Sequence, residues 1–120
     1  MTKKILIVDD STTDQANLRS ILTSAGCVVI SAASGAEALA KARAEQPAVI
    51  FMDIVMPEMD GFEACRQLTA DPATKNIPVV FVSSKGAKAD KVWGQLQGAK
   101  GYIVKPARPE NVIEQLNSAA

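Results

Sequence analysis

Histidine is absent from the chain, and this absence removes both the commonest metal ligand and the usual general base. Cysteine is nearly absent, since Cys27 and Cys65 are the only two and do not form a CxxC pair. With this spacing and no histidine, an ordinary zinc site cannot be assembled. We expect both cysteines to be reduced residues of the core. Any chemistry must therefore use carboxylate, hydroxyl and amine groups.

Neither sign of charge is in excess, because thirteen lysines and arginines balance thirteen aspartates and glutamates. No overall field then favours a nucleic acid or an anionic membrane as a partner. Long hydrophobic runs are also missing, since no stretch approaches the roughly 18 apolar residues of a membrane span. The opening MTKKILIVDD is too short and too acidic at its end for a signal peptide. We expect a cytoplasmic protein without a nucleic-acid or membrane partner.

Five short apolar runs predict β-strands, at 5–8, 27–30, 49–52, 79–82 and 102–104, of which the second is the weakest. Their length and β-branched content are typical of strands covered on both faces, as in a parallel sheet. Between the runs, apolar residues recur at helical spacing, and the alanine-rich stretch 35–45 has high helix propensity. The helical positions are Leu18, Ile21, Leu22 and Ala25; Ala64, Cys65 and Leu68; Ala89, Val92, Trp93 and Leu96; and Val112, Ile113 and Leu116.

Strand and helix alternate five times, and this order predicts one doubly wound α/β domain over residues 1–120. Helices would cover both faces of its sheet. Trp93 is predicted to be a core residue of the fourth helix, and a contact residue on the surface is the alternative. In such a fold, ligands bind outside the carboxyl ends of the strands. The polar residues that follow the strands are therefore the candidates for a site.

Six polar residues stand at these places: Asp9 and Asp10 after the first strand, Asp53 after the third, Ser83 and Ser84 after the fourth and Lys105 after the fifth. The register of the fourth apolar run favours Ser83 over Ser84 as the member of a site. A single acid there would be ordinary, because turns and helix caps favour aspartate. Three carboxylates, a hydroxyl and an amine at one edge form a candidate site. Adjacent carboxylates also raise the cost of ionising both, so a cation is expected nearby.

Four segments carry a resemblance to a known family: ILIVDDS, VIFMDIVMPEMDGFEACRQL, IPVVFVSS and GAKGYIVKP. Over essentially its whole length the chain resembles the receiver domains of bacterial two-component response regulators. MDIVMPEMDGF and DKVWGQLQGAKGYIVKP are especially similar to the small receiver proteins of type IV pilus twitching-motility systems. The resemblance implies a flavodoxin-like five-stranded parallel sheet in the order 2-1-3-4-5. We expect a monomer and, because only NSAA follows the predicted fifth helix, a single receiver domain without an effector domain.

The resemblance also implies a phosphoacceptor and its metal. Asp53 would take a phosphoryl group from a phosphohistidine on a CheA-like sensor histidine kinase, so that the missing histidine belongs to the partner. Mg²⁺ would be bound directly by Asp10, mainly through water by Asp9, and by Asp53 and the backbone carbonyl of Val55. Mg²⁺ prefers such oxygen ligands. Its charge would relieve the repulsion of three carboxylates for one another and for the phosphoryl group.

By the same resemblance, Lys105 and Ser83 contact the phosphoryl oxygens, the first with a fixed charge and the second with a hydrogen bond. A cis peptide bond is implied between Lys105 and Pro106. Tyr102 resembles an aromatic switch that turns inward when Ser83 follows the phosphoryl group. The alternative for Tyr102 is a half-buried strand tyrosine without this role.

Phosphorylation is then expected to change the surface formed by the fourth helix, the fifth strand and the fifth helix. The candidate partner contacts on this surface are Lys85, Lys88, Lys91, Gln95 and Arg108. A lysine-rich edge that is merely solvated is the alternative interpretation.

Val55 and Lys85 depart from the pattern of the chemotaxis receiver, which carries asparagine and glutamate at these places. Both positions flank the path of the water that would attack a phosphoryl group on Asp53. A valine side chain cannot orient that water and can exclude it. We therefore expect slower loss of phosphate than in the chemotaxis receiver.

Two other classes of protein fit the sequence less well, and two other biological roles for a receiver domain stay open. A phosphatase of the haloacid dehalogenase type needs a second acid two residues after its nucleophile, where this chain has Val55. A flavodoxin-like binder of a nucleotide or flavin needs a glycine-rich loop after the first strand, where DDSTTD would repel phosphate. A chemotaxis-type receiver that controls the flagellar motor, and a phosphate sink for a shared kinase, are the alternatives to a regulator of twitching motility.

Overall fold

The computed structural model describes residues 2–119, in which strands and helices alternate along the chain. The strands are β1 (Lys4–Val8), β2 (Val28–Ala32), β3 (Val49–Met52), β4 (Val79–Ser83) and β5 (Gly101–Val104). The helices are α1 (Thr12–Ser24), α2 (Gly35–Glu45), α3 (Gly61–Ala70), α4 (Lys88–Leu96) and α5 (Pro109–Ala119). The predicted strands and helices are all found, and the ends of the predicted domain, residues 1 and 120, lie outside the described residues.

The strands form one parallel sheet in the order β2-β1-β3-β4-β5, as predicted. Pairing sets Val8 beside Met52, Met52 beside Phe81, and Ser83 beside Val104. Because all strands run in the same direction, the carboxyl ends of β1, β3, β4 and β5 meet at one edge. The polar residues that follow these strands are therefore neighbours in space.

Helices cover both faces of the sheet, so the side chains of β1 and β3 are buried on both faces. Leu6 and Val8 pack in one cluster of buried side chains together with α2 and α3. Ile5 and Ile7 point the opposite way and pack with α1 and α5. This alternation follows from the two-residue period of a strand, and burial of both faces explains the continuous apolar runs. Among the helices of residues 2–119, none has the length and hydropathy needed to span a membrane.

The prediction that both cysteines lie in the core is right for Cys65 and only partly right for Cys27. Both are free thiols, but Cys27 is only partly buried because it precedes the edge strand β2. Burial raises the pKa of the Cys65 thiol to about 11. Cys65 is therefore a protonated, unreactive core residue at neutral pH.

The prediction that Trp93 is a core residue is wrong. Half of its surface is exposed, as is much of Val92 and Leu96, so the apolar stripe of α4 faces outward. Helical spacing in the sequence indicates which side chains share a face of a helix. It does not indicate whether another element covers that face.

Gly94 is the residue through which α4 packs on the sheet, and it is buried. A Cβ built at this position would lie 2.9 Å from the ring of Phe81 and 3.6 Å from the ring of Phe62. Phe62 also meets Phe81 and Trp93 edge-on, with ring centroids 5.4 and 6.4 Å apart. The close approach of α4 to β4 thus depends on the missing side chain.

A side chain at position 94 should destabilise the protein, even though alanine is the better helix former by about 1 kcal/mol. We expect Gly94→Ala to lower the free energy of unfolding by about 1 to 2 kcal/mol, because overpacking against Phe81 outweighs helix propensity. Urea unfolding followed by circular dichroism measures this difference. Lys91→Ala, at an exposed position of the same helix, is the control and should have little effect. An unchanged or higher urea midpoint for Gly94→Ala would contradict the packing argument.

Candidate functional site

Three carboxylates lie together at the carboxyl edge of the sheet. Asp9 and Asp10 follow β1, and Asp53 follows β3. One carboxylate oxygen of each lies within 4.8 Å of those of the other two. Asp9 and Asp53 are buried, whereas Asp10 is exposed. An all-oxygen set of this kind suits a hard divalent cation, so these acids form a candidate metal centre.

Backbone amides orient the two buried carboxylates. The N–H of Ser11 donates to Asp9 Oδ1 at 2.9 Å, and the N–H of Ile54 donates to Asp53 Oδ1 at 2.8 Å. Ser11 is also the N-cap of α1, which ties Asp9 to the start of that helix. The Oδ2 atoms of both carboxylates face the ammonium of Lys105.

Lys105 is the cation that the adjacent acids require, and it reaches them from the end of β5. Its Nζ lies 2.7 Å from Asp14 Oδ2, 2.9 Å from Asp9 Oδ2 and 3.4 Å from Asp53 Oδ2. Only 17% of its side chain is exposed. The Lys105–Pro106 peptide bond is cis, as the resemblance implied. The expectation of a cation beside Asp9 and Asp10 is thus confirmed for Asp9.

Asp14 is the member of this charged cluster that the sequence analysis missed. It lies in the first turn of α1, and its contact with Lys105 joins residues 91 positions apart. An acid in the first turn of a helix is ordinarily explained by the helix dipole. The available signal was its place, since α1 begins directly after Asp9 and Asp10 and its first turn must lie at the same edge.

Charge and burial shift two pKa values in this cluster. Burial raises the pKa of Asp53, attraction to Lys105 opposes this rise, and repulsion from Asp9 adds to it, with a net increase. Burial by itself would lower the pKa of Lys105, but hydrogen bonds to Asp14 and Asp9 and the charge of Asp53 raise it above its usual range. The lysine therefore stays charged, while ionised Asp53 carries an energetic cost.

Replacing Asp53 by asparagine should stabilise the fold at neutral pH. Because the pKa of Asp53 is raised in the folded state, ionisation disfavours that state, and the penalty disappears as the pH falls below the pKa in the unfolded chain. We expect Asp53→Asn to raise Tm at neutral pH, with a gain that shrinks toward about pH 3. Thermal unfolding across this range is the measurement.

The control for this experiment is Asp71→Asn, which should have the opposite effect at neutral pH. The backbone N–H of Ala73 and the guanidinium of Arg43 lower the pKa of Asp71, so its ionised form stabilises the folded state. A fall in Tm for Asp53→Asn at neutral pH would contradict the prediction, because it would show that the ionised Asp53 carboxylate stabilises the folded state.

Ser83 and Tyr102, the two predicted switch residues, share a backbone partner. Ser83 ends β4 fully buried, and its hydroxyl accepts a hydrogen bond from the N–H of Lys85 at 3.2 Å. Tyr102 is partly buried on β5, and its hydroxyl donates to the carbonyl of Lys85. Its ring packs edge-on against Phe81 at 6.2 Å. The switch itself stays a prediction.

Val55 lies in the loop between β3 and α3, where 55% of its surface is exposed. This loop folds back tightly, because the N–H of Gly61 donates to the carbonyl of Ile54 at 2.7 Å. A Cβ on Gly61 would lie 2.3 Å from the carbonyl oxygen of Asp53, so the approach requires glycine. The backbone around Asp53 is thereby held in place, and metal binding by the Val55 carbonyl stays a prediction.

The five residues predicted as a partner surface are all exposed: Lys85, Lys88, Lys91, Gln95 and Arg108. Lys88, Lys91 and Gln95 lie on α4. Large apolar side chains are exposed on α4 and at the end of β5, namely Val92, Trp93, Leu96 and Val104. Several large apolar side chains on one exposed helix are more typical of a contact surface than of a solvated one. The exposed basic residues alone would not distinguish a contact surface from a solvated one.

Comparison with known proteins places these features in a family. The description "Response regulator receiver domain" matches residues 5–117. The chain is 46% identical over 115 residues to Protein PilH of Pseudomonas aeruginosa, covering 96% of this chain and 95% of that protein. It is 37% identical over 110 residues to Protein PilG of the same organism, covering 92% and 82% respectively.

Similar solved structures belong to the same family. The chemotaxis response regulator CheY4 of Vibrio cholerae is 34% identical, with a TM-score of 0.92 over the full length of both chains. A CheY-like response regulator receiver domain protein from Methanospirillum hungatei is 30% identical, with a TM-score of 0.86 over 99% of this chain and 97% of that one. The chain therefore belongs to the receiver-domain family of response regulators, a class of two-component signalling domains whose partners are histidine kinases.

Proposed function

We propose that this protein is a response regulator that accepts a phosphoryl group on Asp53 in a Mg²⁺-dependent reaction. The observation that carries the proposal is the place of the Asp53 carboxylate. Its Oδ2 lies 3.4 Å from the Lys105 ammonium, and an oxygen of the same carboxylate lies within 4.8 Å of those of Asp9 and Asp10. A carboxylate so placed has one cation for a phosphoryl group next to it, the Lys105 ammonium, and two further carboxylates with which to hold a metal ion.

The residues that would hold Mg²⁺ are Asp9, Asp10 and Asp53, with the backbone carbonyl of Val55. Their oxygens are the donors that this ion prefers, and the mutual repulsion of the three acids favours a dication between them. Bound Mg²⁺ would supply neutralising charge to the phosphoryl oxygens during transfer.

In the transfer step, a carboxylate oxygen of Asp53 attacks the phosphorus of a phosphohistidine on the partner kinase. The new P–O bond forms as the P–N bond breaks. The imidazole leaves with the electron pair of that bond and takes a proton from solvent. Lys105 stabilises the phosphoryl charge, and the Ser83 hydroxyl donates a hydrogen bond to a phosphoryl oxygen.

The output of phosphorylation would be a changed surface on α4, β5 and α5. Ser83 and Tyr102 both contact the backbone of Lys85, so a movement of Ser83 toward the phosphoryl group would alter the contact that holds Tyr102. The phosphoryl group biases such a shift only through contacts that it makes better in one state. Lys85, Lys88, Lys91, Gln95 and Arg108 would then contact the downstream partner.

For the pathway, we propose twitching motility, in the cytoplasm and with a CheA-like kinase. Similarity to PilH and PilG over most of their lengths supports this choice. The alternative is a chemotaxis-type receiver acting on the flagellar motor, which the likeness to CheY4 of Vibrio cholerae favours. In either system the protein could serve as a phosphate sink for a shared kinase.

The phosphoacceptor is tested by incubating the protein with acetyl phosphate and Mg²⁺ and measuring its intact mass. We expect the wild type to gain one phosphoryl group and Asp53→Asn to gain none. Asp71→Asn, at an aspartate remote from the pocket, is the matched control and should be modified like the wild type. Equal modification of Asp53→Asn and wild type would exclude Asp53 as the acceptor.

The lifetime of the phosphorylated form tests the role assigned to Val55. We expect Val55→Asn to accelerate the loss of the phosphoryl group by roughly threefold to tenfold, because a side-chain amide can orient the attacking water. The decay is followed by intact mass after removal of acetyl phosphate, in the presence of Mg²⁺. Val28→Asn is the control, since Val28 is 51% exposed at the opposite end of the sheet. An unchanged decay rate for Val55→Asn would contradict this role.

A further inference from the structure

Lys105 has three carboxylate partners, and only two of them belong to the candidate metal centre. Asp9 and Asp53 are members of the three-carboxylate cluster, whereas Asp14 is not. Nevertheless Asp14 is the nearest partner, with its Oδ2 2.7 Å from Lys105 Nζ. The ammonium is thus shared between the metal-binding acids and an acid beside them.

This arrangement matters because the Lys105 ammonium and a divalent metal ion would compete for the same carboxylates. An ammonium bound to Asp9 and Asp53 pairs with two of the three carboxylates that would hold a divalent ion, and the two positive charges repel. With no other partner, Lys105 would oppose metal binding by keeping its place on those carboxylates. A third carboxylate lets the ammonium remain ion-paired while it gives up the others.

We propose that Asp14 is a positioning residue that holds the Lys105 ammonium beside the metal-binding carboxylates, so that both cations can occupy the pocket. The inference rests on the proposed function, because it assigns a role toward the Mg²⁺ of that reaction. It concerns a residue outside the acceptor, the predicted metal ligands and the switch pair.

The local structure supports this role. Asp14 is held by the same helix start as Asp9, because its N–H donates to Ser11 Oγ at 3.2 Å and the N–H of Ser11 donates to Asp9 Oδ1. Its side chain is 41% exposed, against 1% for Asp9, so solvent reaches the outer partner and not the inner one. Asp14 and Lys105 also line one cavity of about 350 Å³, which leaves room for the ammonium on that side.

A double-mutant cycle on Mg²⁺ affinity tests the inference. The dissociation constant is measured by titrating MgCl₂ into ¹⁵N-labelled wild type, Asp14→Asn, Lys105→Ala and the double variant, and following backbone amide shifts. In the wild-type background we expect Asp14→Asn to weaken Mg²⁺ binding by roughly threefold to tenfold, the scale of coupling between contacting charged residues. In the Lys105→Ala background the same substitution should have little effect, because no ammonium is left to compete.

Three controls separate positioning from a general loss of charge or fold. Asp14→Glu keeps the carboxylate and should bind Mg²⁺ nearly like the wild type. Glu58→Gln removes an exposed acid from the loop before α3 and should leave the affinity unchanged. Asp14→Gln is a second neutral variant in case Asp14→Asn disturbs the first turn of α1, which the amide spectrum would reveal.

The outcomes distinguish this inference from the proposed function. Equal weakening by Asp14→Asn in both backgrounds would mean a simple charge effect, and no weakening in either would mean no role; both overturn the inference. If the wild type still gains a phosphoryl group on Asp53 in those cases, the proposed function stands. A wild type that neither binds Mg²⁺ nor is phosphorylated would overturn both.

Discussion

A lysine ammonium among carboxylates is the interaction on which this site depends. Asp9 and Asp53 are 1% and 7% exposed, and ionised groups so deeply buried are costly without a partner of opposite charge. Lys105 provides that partner from 96 residues further along the chain than Asp9. Because the contacts join the ends of β1, β3 and β5, the pocket exists only once the sheet has assembled. The pairing of these charges therefore depends on the order of the strands.

Much of the fold and the central part of the site could be predicted from the sequence. The central strands β1, β3 and β4 are short runs buried on both faces, and such runs leave a strong signal because no polar residue interrupts them. Once the sheet is parallel, Asp9, Asp53 and Lys105 must lie at the same edge, since each follows a strand directly, and the strand order then brings them together. The order of the strands came from the resemblance, and pattern alone does not determine it.

What could not be predicted depends on contacts between distant elements. Asp14 looks like an ordinary first-turn acid until β5 brings Lys105 against it. The exposed face of α4 has the same spacing as a buried one, and only the close packing at Gly94 decides how the helix sits. Cys27 differs from Cys65 because β2 is an edge strand, and the apolar pattern around a cysteine does not reveal this without the strand order that the resemblance implied.

The row of aromatic rings from Tyr102 through Phe81 and Phe62 to Trp93 has a practical consequence. Trp93 is the only tryptophan of the chain, and its indole is half in water on α4. Indole emission depends on the polarity around the ring, so the tryptophan fluorescence of an unlabelled sample comes from a single known place. The protein thus carries an optical reporter on the helix next to its candidate switch.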